Sequence, residues 1–293
     1  MAADGEFRVL VASDGSVSAK AAVATAVRFP WPVRTRAQGV TARQAPTDYR
    51  RSILLAAFDR SANLIAAGAR RVLSRRWPGA EVTIVDATPV AGILHEAKRF
   101  DADVIVLGWR GHGAVRRLLM GSVSRGVARG ARCAVLVVRR RQRDVLRIVI
   151  GLDGSANAWR AVDFIGRLHP PRGGQVTVFT VVDHMDVPSQ ALAPSGVRRT
   201  VAAEVRRLNA ERAARAQKDL ARAKATLTRG GWRVRTIATA GAPLRDLLAT
   251  VDSAAADLLV VGARGVTGVR HLLLGSVAEG AMNRCRVPVL VVR

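Results

Sequence analysis

Apolar residues occur along the chain in short runs, each closed by a turn and followed by a stretch with helical spacing. The runs VLVASDGS at residues 9–16 and IVIGLDGS at 148–155 both end in Asp-Gly-Ser. Each reads as a buried strand leading into a turn. Helix-like stretches follow at Ala19 to Phe29 and Ala156 to Leu168, with Ser18 or Ser155 available as N-cap. Further strand candidates are Val33 to Val40 and Glu81 to Asp86, then Gln175 to Val182 and Arg233 to Ala238. Strands alternating with helices predict a mostly parallel sheet covered on both faces.

The pattern is written twice. Val104 to Arg139 aligns without a gap on Leu258 to Arg293, where Gly108 and Gly262 stand 154 positions apart. Asp14 and Asp153 stand only 139 apart, so the second copy carries 15 extra residues between its two motifs. They fall in Asp186 to Arg229, whose Ala, Arg and Glu content suits a longer, partly exposed helix. The expected domains are residues 1–143 and 144–293, joined by a short basic linker at Arg140 to Val145.

Length and composition agree, since 293 residues with 49% hydrophobic and 24% charged side chains suit two globular domains. The apolar runs are far shorter than the roughly 20 residues of a membrane helix, and residues 1–8 do not read as a signal peptide. Cys133 and Cys285 lack zinc or disulfide spacing and read as buried thiols of a cytoplasmic protein. The formal charge of +25 makes a polyanion a conceivable partner. The charge is shared, with 25 basic and 10 acidic residues up to 143 and 22 and 12 after it. An aromatic content of 4% offers few stacking platforms for single strands.

The candidate chemistry lies where strands end. Gly108 and Gly111 follow the strand Val104 to Leu107, and Gly262 and Gly265 repeat them. Such glycines can adopt backbone angles closed to other residues and bring N–H groups close to an anion. Nine residues later Gly121-Ser122 and Gly275-Ser276 open helices, whose free amides and dipole favour phosphate. Ser122, Ser124 and Ser276 offer hydroxyls, and Val123 and Val277 lie in the same first turns.

This G-x-x-G-(nine residues)-G-S pattern, present twice, resembles the ATP-binding signature of the universal stress protein family, and the resemblance spans nearly the whole chain. It implies an α/β fold of two tandem Rossmann-like domains, each a five-stranded parallel sheet in the order 3-2-1-4-5 with helices on both faces. It also implies an intramolecular pseudo-dimer through Val135 to Val138 and Val289 to Val292, with a further homodimer open. By the same resemblance ATP, with Mg²⁺ carried in on the nucleotide, is the cofactor, and the protein is a stress-response regulator acting on an unidentified protein partner. Asp14 and Asp153 would sit by ribose and adenine, the motif glycines and serines by the phosphates, and Val40 and Val182 by adenine. Two departures bear on this: Ala278 stands where Ser124 supplies a hydroxyl, and the first copy's second strand is less apolar, which leaves its adenine pocket the less certain one.

Other readings stay open. Asp-Gly-Ser is ordinary turn chemistry, so Asp14 and Asp153 fit a capping role equally well. Arg110 and Arg264 could pair with phosphate or be two arginines among many. His112, His184 and His271 show no metal or triad spacing. No P-loop lysine, metal-binding acidic pair or nucleophile elbow is present, so at most a slow ATPase is expected. The alternatives are such an enzyme, or a basic scaffold binding nucleic acid with vestigial pockets.

Overall fold

The computed structural model describes residues 5–43, 52–111, 120–140, 145–186, 195–266 and 274–293, with side chains omitted at 52–55 and 195. His112, His271, most of the linker and part of the second copy's extra length fall outside the described residues. The first copy runs β1 (Phe7–Ala12), α1 (Val17–Arg28), β2 (Thr35–Arg43), α2 (Ser52–Leu73), β3 (Val82–Asp86), α3 (Pro89–Arg99), β4 (Val104–Gly108), α4 (Ser122–Gly130) and β5 (Ala134–Val138). The second repeats it as β6 (Arg147–Gly151), α5 (Ala156–Gly166), β7 (Gln175–Val181), α6 (Ser195–Arg229), β8 (Arg233–Thr239), α7 (Pro243–Ser253), β9 (Leu258–Gly262), α8 (Ser276–Arg284) and β10 (Val289–Val292).

One ten-stranded sheet results, in the order β3-β2-β1-β4-β5-β10-β9-β6-β7-β8. Each half has the order 3-2-1-4-5 and is parallel throughout. Only β5 and β10 run antiparallel, with Val137 opposite Val289, Leu136 opposite Leu290 and Val135 opposite Val291. Both are buried along their whole length, as the unbroken apolar runs AVLVV and VLVV require of strands covered on both faces.

The two faces of the sheet hold two cores, and both cross the seam. One joins Phe29, Trp31 and Leu136 with Ile165, Leu227 and Leu290. There Phe7 of β1 stacks on Trp31 and meets the edge of Phe164 from α5, each with ring centres 5.7 Å apart. The other core joins Ile105, Val135 and Val137 with Val261, Met282 and Val289.

Helix ends seal the seam reciprocally. Arg139, just beyond β5, donates to the carbonyls of Met282 (3.2 Å) and Asn283 in the last turn of α8. Arg293, just beyond β10, donates to the carbonyls of Ala128 and Arg129 (2.9 Å) in the last turn of α4. Each guanidinium thus satisfies carbonyls that have no intrahelical partner and meets the negative end of a helix dipole. Arg129 and Glu279 add an ion pair of 2.8 Å between α4 and α8.

One expectation changes in detail and one is met. Ser16, not Ser18, caps α1, because the Asp14-Gly15 turn starts the helix two residues earlier and the Ser16 hydroxyl accepts from Ala19 N. The second copy's extra length appears as α6, 35 residues against 22 in α2. Among the described residues no helix is long and apolar enough to cross a membrane.

A fragment covering residues 5–140 leaves β5, buried on both faces, as a bare apolar edge. It is expected to self-associate through β5, and light scattering that finds only stable monomer would contradict this account of the seam.

Candidate functional site

Each copy gathers its motif residues at the carboxyl ends of its strands, the ligand crevice of open α/β sheets. The first turn begins with Asp14-Gly15, where Gly15 has φ 80°; Gly154 repeats that angle after Asp153. Asp14 Oδ1 accepts from Ser16 N and Asp153 Oδ1 from Ser155 N, both at 3.0 Å. The turn reading of these aspartates is therefore realised. The second carboxylate oxygen faces the glycine loop, where Asp153 Oδ2 accepts from Val266 N at 3.3 Å.

The glycines are explained by close approach, not by unusual backbone angles. None of Gly108, Gly111, Gly262 and Gly265 has a positive φ. A Cβ on Gly108 would lie 2.6 Å from Ala19 N and Ser18 C, and one on Gly262 2.8 Å from Ala158 N. A Cβ on Gly111 or Gly265 would lie 2.5 Å from the Oδ2 of Asp14 or Asp153. Strand β4 or β9 thus ends flush against the first turn of α1 or α5, and the loop folds onto the aspartate.

Hydroxyls clamp this junction. The Arg110 carbonyl accepts from Ser16 Oγ (3.1 Å) and from Ser18 Oγ. The Arg264 carbonyl accepts from Ser155 Oγ (3.1 Å) and Asn157 Nδ2 (3.4 Å). The loop then returns, with Gly121 N donating to Trp109 O (3.0 Å) and Gly275 N to Ala263 O (2.7 Å).

Helices α4 and α8 start at Gly121 and Gly275 without a side-chain cap. The first amides to bond back are those of Arg125 and Glu279, to the carbonyls of Gly121 and Gly275. The amides of Ser122, Val123 and Ser124, and of Ser276, Val277 and Ala278, therefore lack an intrahelical acceptor and form an anion-binding end. The Ser124 hydroxyl does not join them: it is buried and donates to Gly108 O (2.7 Å) and Trp109 O (3.1 Å), bracing the loop.

In the first copy these parts rim an open cleft of about 100 Å³. Val40, Ala42, Pro89 and Ile93 form an apolar wall, and Asp14, Arg110, Gly111 and Val123 form the polar mouth. Beside it the Trp109 ring lies between two guanidinium groups, Arg110 at 4.1 Å and Arg139 at 3.7 Å from its centre. Its Nε1 donates to Met282 O at 2.9 Å, tying the first copy's loop to α8 of the second. Burial lowers the pKa of Arg139, and neighbouring Arg110 adds to the fall.

Two segments of the chain, residues 7–139 and 145–293, match the model of the Universal stress protein family. The chain belongs to that family, as a tandem member. A universal stress protein of Mycobacterium tuberculosis is 29% identical over 243 residues, covering 78% of this chain and 72% of the relative. One from Methanocaldococcus jannaschii is 24% identical over 152 residues, 50% of this chain and 94% of its own. Among solved structures, a universal stress protein from Archaeoglobus fulgidus superposes with a TM-score of 0.69 at 18% identity, covering 98% of this chain and 96% of the other. That likeness establishes the fold.

Within this tandem universal stress protein the copies differ at the cleft wall. Register pairs Val40 with Ala12 and Phe179 with Gly151, so the counterpart of Val40 is Phe179, not Val182. Val182 lies three residues further on, beyond β7, where its N–H donates to Thr239 O. The second copy therefore carries Phe179 and Leu247, each 2% exposed, where the first carries Val40 and Ile93. At the loop, Ala263 replaces Trp109. The serines and asparagine that clamp the loop, and Trp109 at the seam, are not singled out by sequence; only Ser16 and Ser155, inside the repeated Asp-Gly-Ser, carry a signal there.

His184 is exposed, its Nε2 3.4 Å from Asn209 Nδ2. Among the described residues no group of three or more His, Cys, Asp or Glu side chains could hold a metal. Burial pushes the Cys133 thiol up to about 11 and raises that of Cys285, so neither is a thiolate at neutral pH.

Because the glycine–helix contact involves backbone, Gly108→Ala and Gly262→Ala should each cost about 1–3 kcal/mol in urea unfolding. Gly79→Ala, with nothing within 4 Å of its new methyl, is the control and should be close to neutral.

Proposed function

We propose that the first copy binds ATP, with Mg²⁺ carried on its phosphates, and that occupancy regulates the surface presented to a protein partner in a stress response. The observation that carries this reading is the cleft itself. An apolar wall of Val40, Ala42 and Ile93 ends at a polar mouth where the α4 amides point outward. The flat base would lie against this apolar wall while ribose and phosphates lie along the open mouth toward Gly121 and Ser122. Asp14 would reach the ribose through its carboxylate. Arg110, lifted from Trp109, would pair with a phosphate. The bound Mg²⁺ would supply charge neutralisation between phosphate oxygens. No side chain described here is placed as a base for water, so binding, not turnover, is the activity expected.

The second copy keeps the clamp and the α8 amides. Phe179 and Leu247 take up room on the wall, so its base site is the narrower one. This reading departs from the expectation that the first copy holds the less certain adenine pocket.

Calorimetric titration of nucleotide-stripped protein with ATP and Mg²⁺ tests the reading. Val40→Phe, which transplants the second copy's residue, and Gly121→Val should each weaken binding at least about tenfold, or roughly 1.4 kcal/mol. Gly275→Val should change it little. Loss in Gly275→Val instead would move the occupied site to the second copy, and no heat in the intact protein would end the proposal. Turnover above roughly 1 s⁻¹ would favour an enzyme over a regulator.

A further inference from the structure

We propose that α6 is a docking surface for the phosphate backbone of double-helical nucleic acid. Within Ser195–Arg229 eight arginines and two lysines stand against Glu204, Glu211 and Asp219. Its counterpart α2 carries three arginines and one aspartate over 22 residues. The added length of the second copy is therefore also added positive charge. Arg207 holds both Glu204 and Glu211 at 2.5 Å, so those acids do not offset their other neighbours. Arg215, Lys218, Arg222 and Arg229 are exposed and form no ion pair among the described residues.

The helix is held in place. Val205, Leu220, Ala223 and Leu227 are buried beneath it. Asn209 accepts from Met185 N (2.9 Å) and donates to Met185 O (3.0 Å), and Arg212 pairs with Asp183 at 3.4 Å. The cations thus stand on a fixed rod. At about 100° and 1.5 Å per residue Arg215, Lys218, Arg222 and Arg229 fall within about 60° of one another, turned away from the buried residues, and span about 21 Å along the axis.

The same surface argues against other polyanions. A helix that enters a membrane interface needs an apolar outer face, whereas among the described residues Val197 is the one exposed large apolar side chain on α6. Single strands are gripped by stacking aromatics, and α6 contains no Phe, Tyr or Trp. Arginine, a fork that fits phosphate oxygens, provides most of the charge.

Fluorescence anisotropy of the full chain with two labelled duplexes of unrelated sequence, between about 50 and 200 mM salt, tests the proposal. Both should bind alike and weaken steeply with salt. Replacing Arg215, Lys218, Arg222 and Arg229 together by Gln should reduce the slope of log K against log salt by up to about 3.6 and weaken binding at least about tenfold at about 150 mM. Replacing Arg34, Arg71, Arg75 and Arg172 by Gln, the same charge removed from other exposed positions, should weaken it less than about threefold. Circular dichroism checks that each variant keeps its helix content. The proposal is overturned by no duplex binding at the lowest salt, by equal losses in the two variants, or by tighter binding to anionic vesicles or single strands than to duplex. None of these results depends on whether the cleft takes ATP.

Discussion

Everything in this molecule is arranged about the antiparallel pairing of β5 with β10. Each copy alone is a parallel sheet whose last strand has one unpaired side and apolar residues on both faces. Pairing those sides closes ten strands into one sheet and lets both cores run across the junction. Antiparallel pairing also fixes polarity: the carboxyl ends of the first copy's strands point one way and those of the second copy's the other. The two loop clusters consequently sit at opposite edges of the sheet. Helix α8 starts at one cluster and ends at the other, where Met282 O meets Trp109, while α4 runs the reverse course to Arg293.

That arrangement separates what the repeats share from what they do not. The shared parts are backbone contacts: a strand end against the first turn of a helix, an aspartate folded over a glycine, a carbonyl clamped by hydroxyls or an amide. A methyl group at those glycines would meet backbone or a carboxylate at 2.5–2.8 Å, and backbone cannot repack as a side chain does. The cleft wall is side chain against side chain. There Val40 and Ile93 can become Phe179 and Leu247 provided that the opposing position shrinks, as Ala12 does to Gly151, where a Cβ would lie 3.3 Å from Leu247 Cδ2.

The division explains what could be read in advance. The alternation of strands and helices and the loop cluster were legible because they rest on apolar runs and on glycines at fixed spacing, which repeat at 154 positions, whereas strand order and the seam came from the family resemblance that those motifs carry. The reason for the glycines was not legible, since crowding by α1 and α5 is a tertiary contact that leaves the same letter as a positive φ. The counterpart of Val40 was misplaced for a related reason: the strand's end was counted from Val182, while register is counted across the sheet to Gly151. Trp109 gave no signal, because its partner carbonyl is 173 residues away.

Duplication followed by unequal change leaves the two copies with different surfaces. A symmetric pair would place equal clefts at the two edges and equal helices at the two flanks. Here Val40 and Ile93 form the first copy's wall where Phe179 and Leu247 stand in the second, and the long cationic helix belongs to the second. The tryptophan that joins a glycine loop to the opposite helix lies on the cleft side alone, since Ala263 takes its place in the second copy. An anion that draws Arg110 from the face of Trp109 removes one of the two cations that hold the ring against Arg139 and Met282. Under the proposed function, a change at Trp109 on occupancy would reach the carboxyl end of α8 through Met282 O, and the amino end of α8 anchors the other loop cluster.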